Sequence, residues 1–201
     1  MPQNILGLDI GDKTIKAVVL SKKGLSAGRL VAFNVLDIEA CGGLDSALQK
    51  LAGEKIFSDV ICVALLPPAD ILFRRVHLPF RDENKIRKTL LFELEPLVPL
   101  PIEELIADYL VIPDGGLLTA AADKKNIRLW IDKLEKHFHR VPILDASSTT
   151  LAIQAVDKNV SGGVILDIGF SSTSAVFYEH GALMQARTLP FGGETLTRSL
   201  A

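Results

Sequence analysis

The apolar positions in the first third of the chain predict strand, strand, strand, helix, strand. Ile5, Leu6, Leu8 and Ile10 make residues 4–11 apolar on both faces, as a central buried strand requires. After Gly11, residues 14–21 alternate more loosely and set Ile15, Ala17 and Val19 on one face, and a third strand covers 30–35. Leu44, Ala47, Leu48 and Leu51 then recur at i, i+3, i+4 and i+7, the spacing of a helix with one buried face. Val60-Ile61-Cys62-Val63-Ala64-Leu65 is a fourth strand, closed by Pro67-Pro68.

The pattern changes after Pro68. Residues 71–78 read as a strand with partly exposed basic side chains. Asp82 is placed to cap a helix carrying Ile86, Leu90, Leu94 and Leu97 on one stripe. Pro96, Pro99 and Pro101 end that helix and enforce an extended linker. Short strands at 105–112 and 117–122 meet across Asp114-Gly115-Gly116, and Asp123 caps a second helix with Ile127, Trp130, Ile131, Leu134 and Phe138 on its apolar side. Strand, helix, strand, strand, helix over 69–138 is a self-contained α+β module. A short strand at 141–144 and a helix at 147–156 are expected to rejoin the first group of strands.

The last part of the chain repeats the first. Leu8-Asp9-Ile10-Gly11-Asp12-Lys13-Thr14-Ile15-Lys16-Ala17-Val18 recurs as Leu166-Asp167-Ile168-Gly169-Phe170-Ser171-Ser172-Thr173-Ser174-Ala175-Val176. At a constant offset of 158 residues Leu, Asp, Ile, Gly, Ala and Val are identical, and Thr14 faces Ser172. Both copies reach a turn, at Lys22-Lys23-Gly24 and at Glu179-His180-Gly181, before another apolar run. Each therefore reads as strand, Gly turn, strand, turn, strand; the second copy covers 164–168, 173–178 and 182–189 and is entered through Ser161-Gly162-Gly163. An apolar strand that ends in Asp-x-Gly and turns at once sets a carboxylate and turn amides at one sheet edge. Two such edges facing each other would gather carboxylates and N–H groups on a cleft, a setting that suits a metal-bound polyphosphate.

Composition narrows the function classes. At 201 residues and 48% hydrophobic, the chain can bury a core and hold one or two domains. A net charge of −2 with no long single-sign run supplies no basic field for nucleic acid or an anionic membrane. Cys41 and Cys62 are isolated, with no C-x-x-C and no companion ligands, and read as reduced thiols of a cytoplasmic protein. Met1-Pro2-Gln3-Asn4 leads straight into a strand, unlike a signal peptide, and no segment nears the roughly 20 apolar residues of a membrane helix. Residues 192–201 look like a helix start, so a longer parent chain is expected. Gly11-Asp12-Lys13-Thr14 lacks the spacing of a P-loop. His137 and His139, and likewise Glu93 and Glu95, stand two apart and do not share a helix face, and no nucleophile–base set is discernible.

The repeated segments resemble the phosphate-1 and phosphate-2 loops of the actin-like ATPase superfamily, which also contains sugar kinases and heat-shock chaperones. Phe73-Arg74-Arg75-Val76-His77-Leu78-Pro79-Phe80-Arg81-Asp82, then Phe92-Glu93-Leu94-Glu95 with Pro99 and Pro101, then Leu117-Leu118-Thr119-Ala120-Ala121 resemble the inserted subdomain of PilM and GspL. Those are actin-like cytoplasmic proteins of type IV pilus and type II secretion machines. Leu189-Pro190-Phe191-Gly192-Gly193-Glu194-Thr195-Leu196-Thr197 is similar to the same group and to FtsA. The resemblance implies an α/β, actin-like ATPase (ribonuclease H-like) two-lobe architecture with an inserted α+β subdomain. The first lobe would take residues 1–68 and 139–160, the insertion 69–138, and an incomplete second lobe 161–201.

The resemblance also implies roles. Asp9, Gly11 and Thr14 would belong to phosphate loop 1, and Asp167, Gly169, Ser171 and Ser172 to phosphate loop 2, with ATP as the cofactor and Asp9 and Asp167 directed at Mg2+. Loop 1 carries Asp12-Lys13 where small or hydroxyl residues are usual, and the family's adenosine-binding segment lies beyond residue 201. A weak or vestigial nucleotide cleft is therefore expected, with no catalytic residue in this chain. The implied role is a cytoplasmic scaffold peripheral to the bacterial inner membrane, coupling the assembly ATPase to inner-membrane partners of a pilus or secretion platform. Arg74, Arg75 and Arg81, with Arg87 and Lys88 nearby, would form the docking surface. In PilM-like proteins the partner would be a short peptide of an inner-membrane protein, and in GspL-like proteins the N-terminal domain of the secretion ATPase. The alternative is an active ATP-binding actin-like ATPase, FtsA-like or kinase-like. Neither nucleic acid nor direct membrane insertion is expected. The choice between pilus and secretion system stays open, as does the oligomeric state, a homodimer included.

Overall fold

The computed structural model describes residues 3–22, 28–58, 60–157 and 161–200. The elements run β1 (Gln3–Ile10), β2 (Thr14–Lys22), β3 (Arg29–Asp37), α1 (Leu44–Gly53), α2 (Lys55–Ser58), β4 (Ile61–Leu66), β5 (Leu72–Val76), α3 (Glu83–Leu94), β6 (Leu105–Val111) and β7 (Leu117–Asp123). They continue with α4 (Lys124–Glu135), β8 (Ile143–Ala146), α5 (Ser147–Asp157), β9 (Gly162–Ile168), β10 (Thr173–Glu179), β11 (Ala182–Leu189) and α6 (Gly193–Leu200). Two compact units result, Met1–Pro67 with Arg128–Ser147 and Pro68–Ile127 with Ser148–Ala201. Of the turn expected at Lys22-Lys23-Gly24, Lys22 ends β2 and Lys23 and Gly24 lie outside the described residues.

The first unit is built on a five-stranded sheet in the order β3-β2-β1-β4-β8. β1 pairs antiparallel with β2 and parallel with β4, so it takes the central place its apolar content predicts. Leu6, Leu8 and Ile10 point into one core together with Ile15, Ala17 and Val19, all at most 4% exposed. The opposite face of β1 is less covered than expected: Ile5 and Asp9 are half-buried and Gly7 is exposed. Ala47, Leu48 and Leu51 of α1 close the core from one side, with Phe57 from α2, a single turn too short for periodicity to reveal. Leu134 at the end of α4 and Phe138 just beyond it complete the same core. Burial of each large aliphatic side chain here contributes about 1.5–3 kcal/mol before entropy is charged against it.

The second unit holds two antiparallel three-stranded sheets, β5-β7-β6 and β11-β10-β9. Asp82 caps α3 as expected, its Oδ1 accepting from the Lys85 amide at 2.9 Å. Ile86, Leu90 and Leu94 pack on Val76, Leu105, Leu117 and Ala121. Leu97 leaves the predicted stripe and is 41% exposed, because α3 ends at Leu94 and a 3-10 turn with Pro96 near its start rotates the next residues away. Asp123 closes β7 and its Oδ1 accepts from the Lys125 amide at 2.7 Å, starting α4. The β10–β11 hairpin turns through His180 and Gly181, with φ of 49° and 79°. Both signs are positive, as a two-residue type I′ turn demands. The Thr188 hydroxyl of β11 donates to the Pro68 carbonyl at 3.0 Å.

Candidate functional site

The two Asp-x-Gly segments fold into the same backbone turn. In the first, Ile10 pairs with Ile15 and the Gly11 amide donates to the Thr14 carbonyl at 2.9 Å. In the second, Ile168 pairs with Thr173 and the Gly169 amide donates to the Ser172 carbonyl, again at 2.9 Å. The matched sequences thus make matched tips, each at the end of a strand that opens a meander of the same order. Loop 1 lies in the first unit and loop 2 in the second. Within its own loop each set of predicted site residues is brought together: Asp9, Gly11 and Thr14 at the β1–β2 tip, Asp167, Gly169, Ser171 and Ser172 at the β9–β10 tip.

Each tip is braced by the chain that follows its meander. The Ile38 amide donates to the Lys13 carbonyl at 2.8 Å, and Lys13 Nζ reaches Glu39 at 3.2 Å, so the turn after β3 holds loop 1. Loop 2 is held by the segment entering α6. The Thr173 hydroxyl donates to the Phe191 carbonyl at 2.8 Å, and the Gly193 and Glu194 amides donate to Gly169 and Phe170 carbonyls at 2.8 and 3.0 Å. Helix N-terminal amides are common anion sites. Those two α6 amides instead bond loop 2 itself, which makes the Phe191–Glu194 run a brace for the loop.

The electrostatics of the two tips differ. Lys16 sits directly across from Asp9 and its Nζ binds the carboxylate at 2.9 Å. At the equivalent place across from Asp167 stands Ser174, whose buried hydroxyl has no hydrogen-bond partner among the described residues. Sequence reading gave neither Lys16 nor Ser174 a role, although the offset that aligns the repeats also aligns these two. The residues fit a metal ion poorly at loop 1, where an ammonium group already neutralises the carboxylate. Among the described residues no group of three or more His, Cys, Asp and Glu gathers to hold a metal.

The basic residues of β5 are divided by its pleat. Arg74 is half-buried and spent on backbone: its Nε donates to the Leu97 carbonyl at 2.7 Å and its Nη1 to Phe73 at 2.8 Å. Arg75 points to the other face and pairs with Asp114 in the β6–β7 turn. The Asp114 carboxyl is held below its ordinary range by the Gly116 amide first, with Arg75 adding to the effect. Arg81 is exposed before α3.

No protein-family profile matches the chain. A chain of the PilM-PilN type IV pilus biogenesis complex aligns with 98% of this chain and 64% of its own length, at 20% identity and a TM-score of 0.78. The cytoplasmic domain of EpsL, an inner membrane component of the type II secretion system of Vibrio cholerae, aligns with 94% of this chain and 71% of its own, at 16% identity and a TM-score of 0.68. A protein of unknown function from Bacteroides thetaiotaomicron, with an actin-like ATPase fold, aligns with 98% of this chain and 73% of its own, at 14% identity and a TM-score of 0.54. This chain therefore spans less than two thirds of the pilus protein's length. No helix among the described residues is long and apolar enough to cross a membrane. The twin meanders, the β3-β2-β1-β4-β8 order and these likenesses together give the chain an actin-like ATPase fold.

Proposed function

We propose that the chain belongs to the PilM/GspL group and serves as a cytoplasmic scaffold of a type IV pilus or type II secretion platform. It would lie peripheral to the inner membrane and link platform proteins to the assembly ATPase. The observation that carries this reading is the extent of the likeness to the PilM-PilN chain, which takes in the inserted module as well as both meanders. In this reading residues 69–138 are the insertion that distinguishes a scaffold from its enzymatic relatives, set between a first lobe of 1–68 and 139–160 and a second lobe starting at 161. Of Arg74, Arg75 and Arg81, the last and the outer part of Arg75 remain able to meet a partner, since Arg74 is committed to carbonyls.

The nucleotide cleft is weak in this reading. ATP would supply a polyphosphate and its Mg2+; in this reading Gly11 and Thr14 of loop 1 and Gly169, Ser171 and Ser172 of loop 2 are the groups for phosphate oxygens, and Asp9 and Asp167 those for the metal's water shell. The Asp9–Lys16 pair works against that, because the ion must first displace the ammonium group from Asp9. The matched Gly turns favour the second reading, a working ATP-binding ATPase. Calorimetric titration of ATP–Mg2+ into the chain, and into a version extended past residue 201, separates the two. The scaffold reading expects weak or no binding while pull-down of platform proteins and the assembly ATPase stays intact. Tight binding and turnover that vanish on Asp9→Ala would establish the enzyme instead. Capture undiminished by Arg75→Glu with Arg81→Glu would remove the basic docking surface.

A further inference from the structure

The two faces of the β2–β3 ribbon have opposite fates. Ile15, Ala17 and Val19 share a core with α1, α2 and the end of α4 and are at most 1% exposed. The alternate residues of β2, and their partners on β3, point the other way. There Leu20 faces Leu30, Val18 faces Phe33 and Lys16 faces Val35. Val18 and Leu20 are each 39% exposed, Leu30 56%, Val35 58% and Phe33 73%. Five large apolar side chains thus form one patch across two adjacent strands. The largest apolar patch of a typical monomer spans roughly 300–600 Å² and often has a function.

The internal repeat shows the same face put to use. At the offset of 158, Val18 and Leu20 become Val176 and Tyr178, and their cross-strand partners Phe33 and Leu30 become Ala186 and Leu183. The two ladders even shift register at equivalent places, between Val19 and Leu20 and between Phe177 and Tyr178. In the second meander these four residues are at most 6% exposed, and β11 packs against β5 and β7 of its own unit. One copy of the face is covered and the other is bare.

We propose that the bare face of β2 and β3 binds a second copy of this chain in a two-fold, sheet-on-sheet dimer. Charge selects both the occupant and the orientation. β3 begins at Arg29 and ends at Asp37, both exposed, with Phe33 as its middle residue. A two-fold axis through the patch that sets the two β3 strands antiparallel brings Arg29 of each copy to Asp37 of the other, on either side of an apolar centre. The parallel arrangement would set Arg29 against Arg29 and Asp37 against Asp37. Arg29 has no ion-pair partner among the described residues. The Asp37 Oδ1 accepts from the Ala40 amide at 2.7 Å, and its second oxygen faces a cation at no cost to that turn. Lys16, inside the patch, already pairs with Asp9 at 2.9 Å, so covering the face strands no charge there. An apolar centre with a charged rim is the usual anatomy of a protein interface. The proposal requires neither the nucleotide cleft nor the docking of platform proteins.

Sedimentation equilibrium of the whole chain over a micromolar range tests the face. The chain is expected to dimerise, and Phe33→Asp to weaken the dimer at least tenfold. Phe33 is mostly exposed, so that variant keeps the core, and its thermal unfolding should match the native chain. Arg29→Glu and Asp37→Lys should each weaken self-association at least tenfold, because each sets like charges together twice. An equimolar mixture of those two variants should recover the dimer, since both ion pairs are restored in the mixed species. A chain that stays monomeric, a dimer that Phe33→Asp leaves unchanged, or a mixture that recovers nothing overturns the proposal. So does a version extended past residue 201 that remains monomeric and shields Phe33→Cys from maleimide, which gives the face to the chain's own continuation.

Discussion

Cys62 lies fully buried in β4, and burial pushes its thiol up to about 12. A thiol so held stays protonated at pH 8 and is no nucleophile. Brief iodoacetamide labelling at pH 8, followed by mass spectrometry, should therefore leave Cys62 unmodified in the folded chain and modify it fully in urea, whereas Cys41, half-buried, reacts sooner. The glycines separate in the same way by what surrounds them. A Cβ at Gly192 would lie 2.3 Å from the Phe170 carbonyl oxygen and 2.6 Å from that of Gly169, so loop 2 and the entry of α6 meet only because Gly192 has no side chain. A Cβ at Gly11 would meet the Thr14 oxygen at 3.5 Å, an ordinary contact. Gly192→Ala is expected to cost more than about 2 kcal/mol in urea unfolding. Gly11→Ala should stay within about 1 kcal/mol of the native chain. Equal costs would contradict this difference in close approach.

At the scale of elements, α1 is tied to the end of α4 through one carboxylate. Asp45, in the first turn of α1, faces His137 Nε2 at 3.0 Å and Lys136 Nζ at 3.0 Å. The hydrogen bond from His137, and then that from Lys136, hold the Asp45 carboxyl below its ordinary value of 3.8. A carboxylate depressed in the folded state adds stability that is fully present above the unfolded value and is lost as pH falls through the folded one. The clamp should therefore hold above pH 3.8 and weaken below it. Asp45→Asn should flatten the dependence of stability on pH below about pH 4, read by thermal unfolding at fixed ionic strength. An unchanged slope would show that the pair adds nothing beyond a surface contact.

At the scale of the whole molecule, a sheet begun by the first strands is finished by residues far along the chain. Leu134 and Phe138 share a core with Leu6 and Leu48, and the Cys62 amide donates to the Arg140 carbonyl at 2.8 Å. Leu134→Ala is expected to destabilise this core by about 2–5 kcal/mol, the usual cost of a cavity at a fully buried leucine. Hydrogen exchange in β1 and β4 should report the loss. Protection unchanged in those strands would separate α4 from the sheet.

Most strands and helices were legible from the chain because their signals are local. Ile15, Ala17 and Val19 alternate, Ala47, Leu48 and Leu51 recur at helical spacing, and Asp82 stands where a cap belongs. The repeat of Asp9-x-Gly11 at Asp167-x-Gly169 was legible too, and with it the twin turns, since a four-residue turn is set by the residues within it. What lay outside local reach was settled by contacts between distant segments. Lys16 neutralises Asp9 only because the ladder sets them opposite one another, and Arg74 meets the Leu97 carbonyl only because α3 returns over β5. The cavity between α3 and β6, lined by Leu90, Leu105 and Ala107 among others, likewise exists only where helix and strand are laid together. The amino-acid order by itself determined the elements and the paired loops. Tertiary structure alone decided which carboxylates and cations are already spent, because pairing energy depends on distances that sequence separation does not encode.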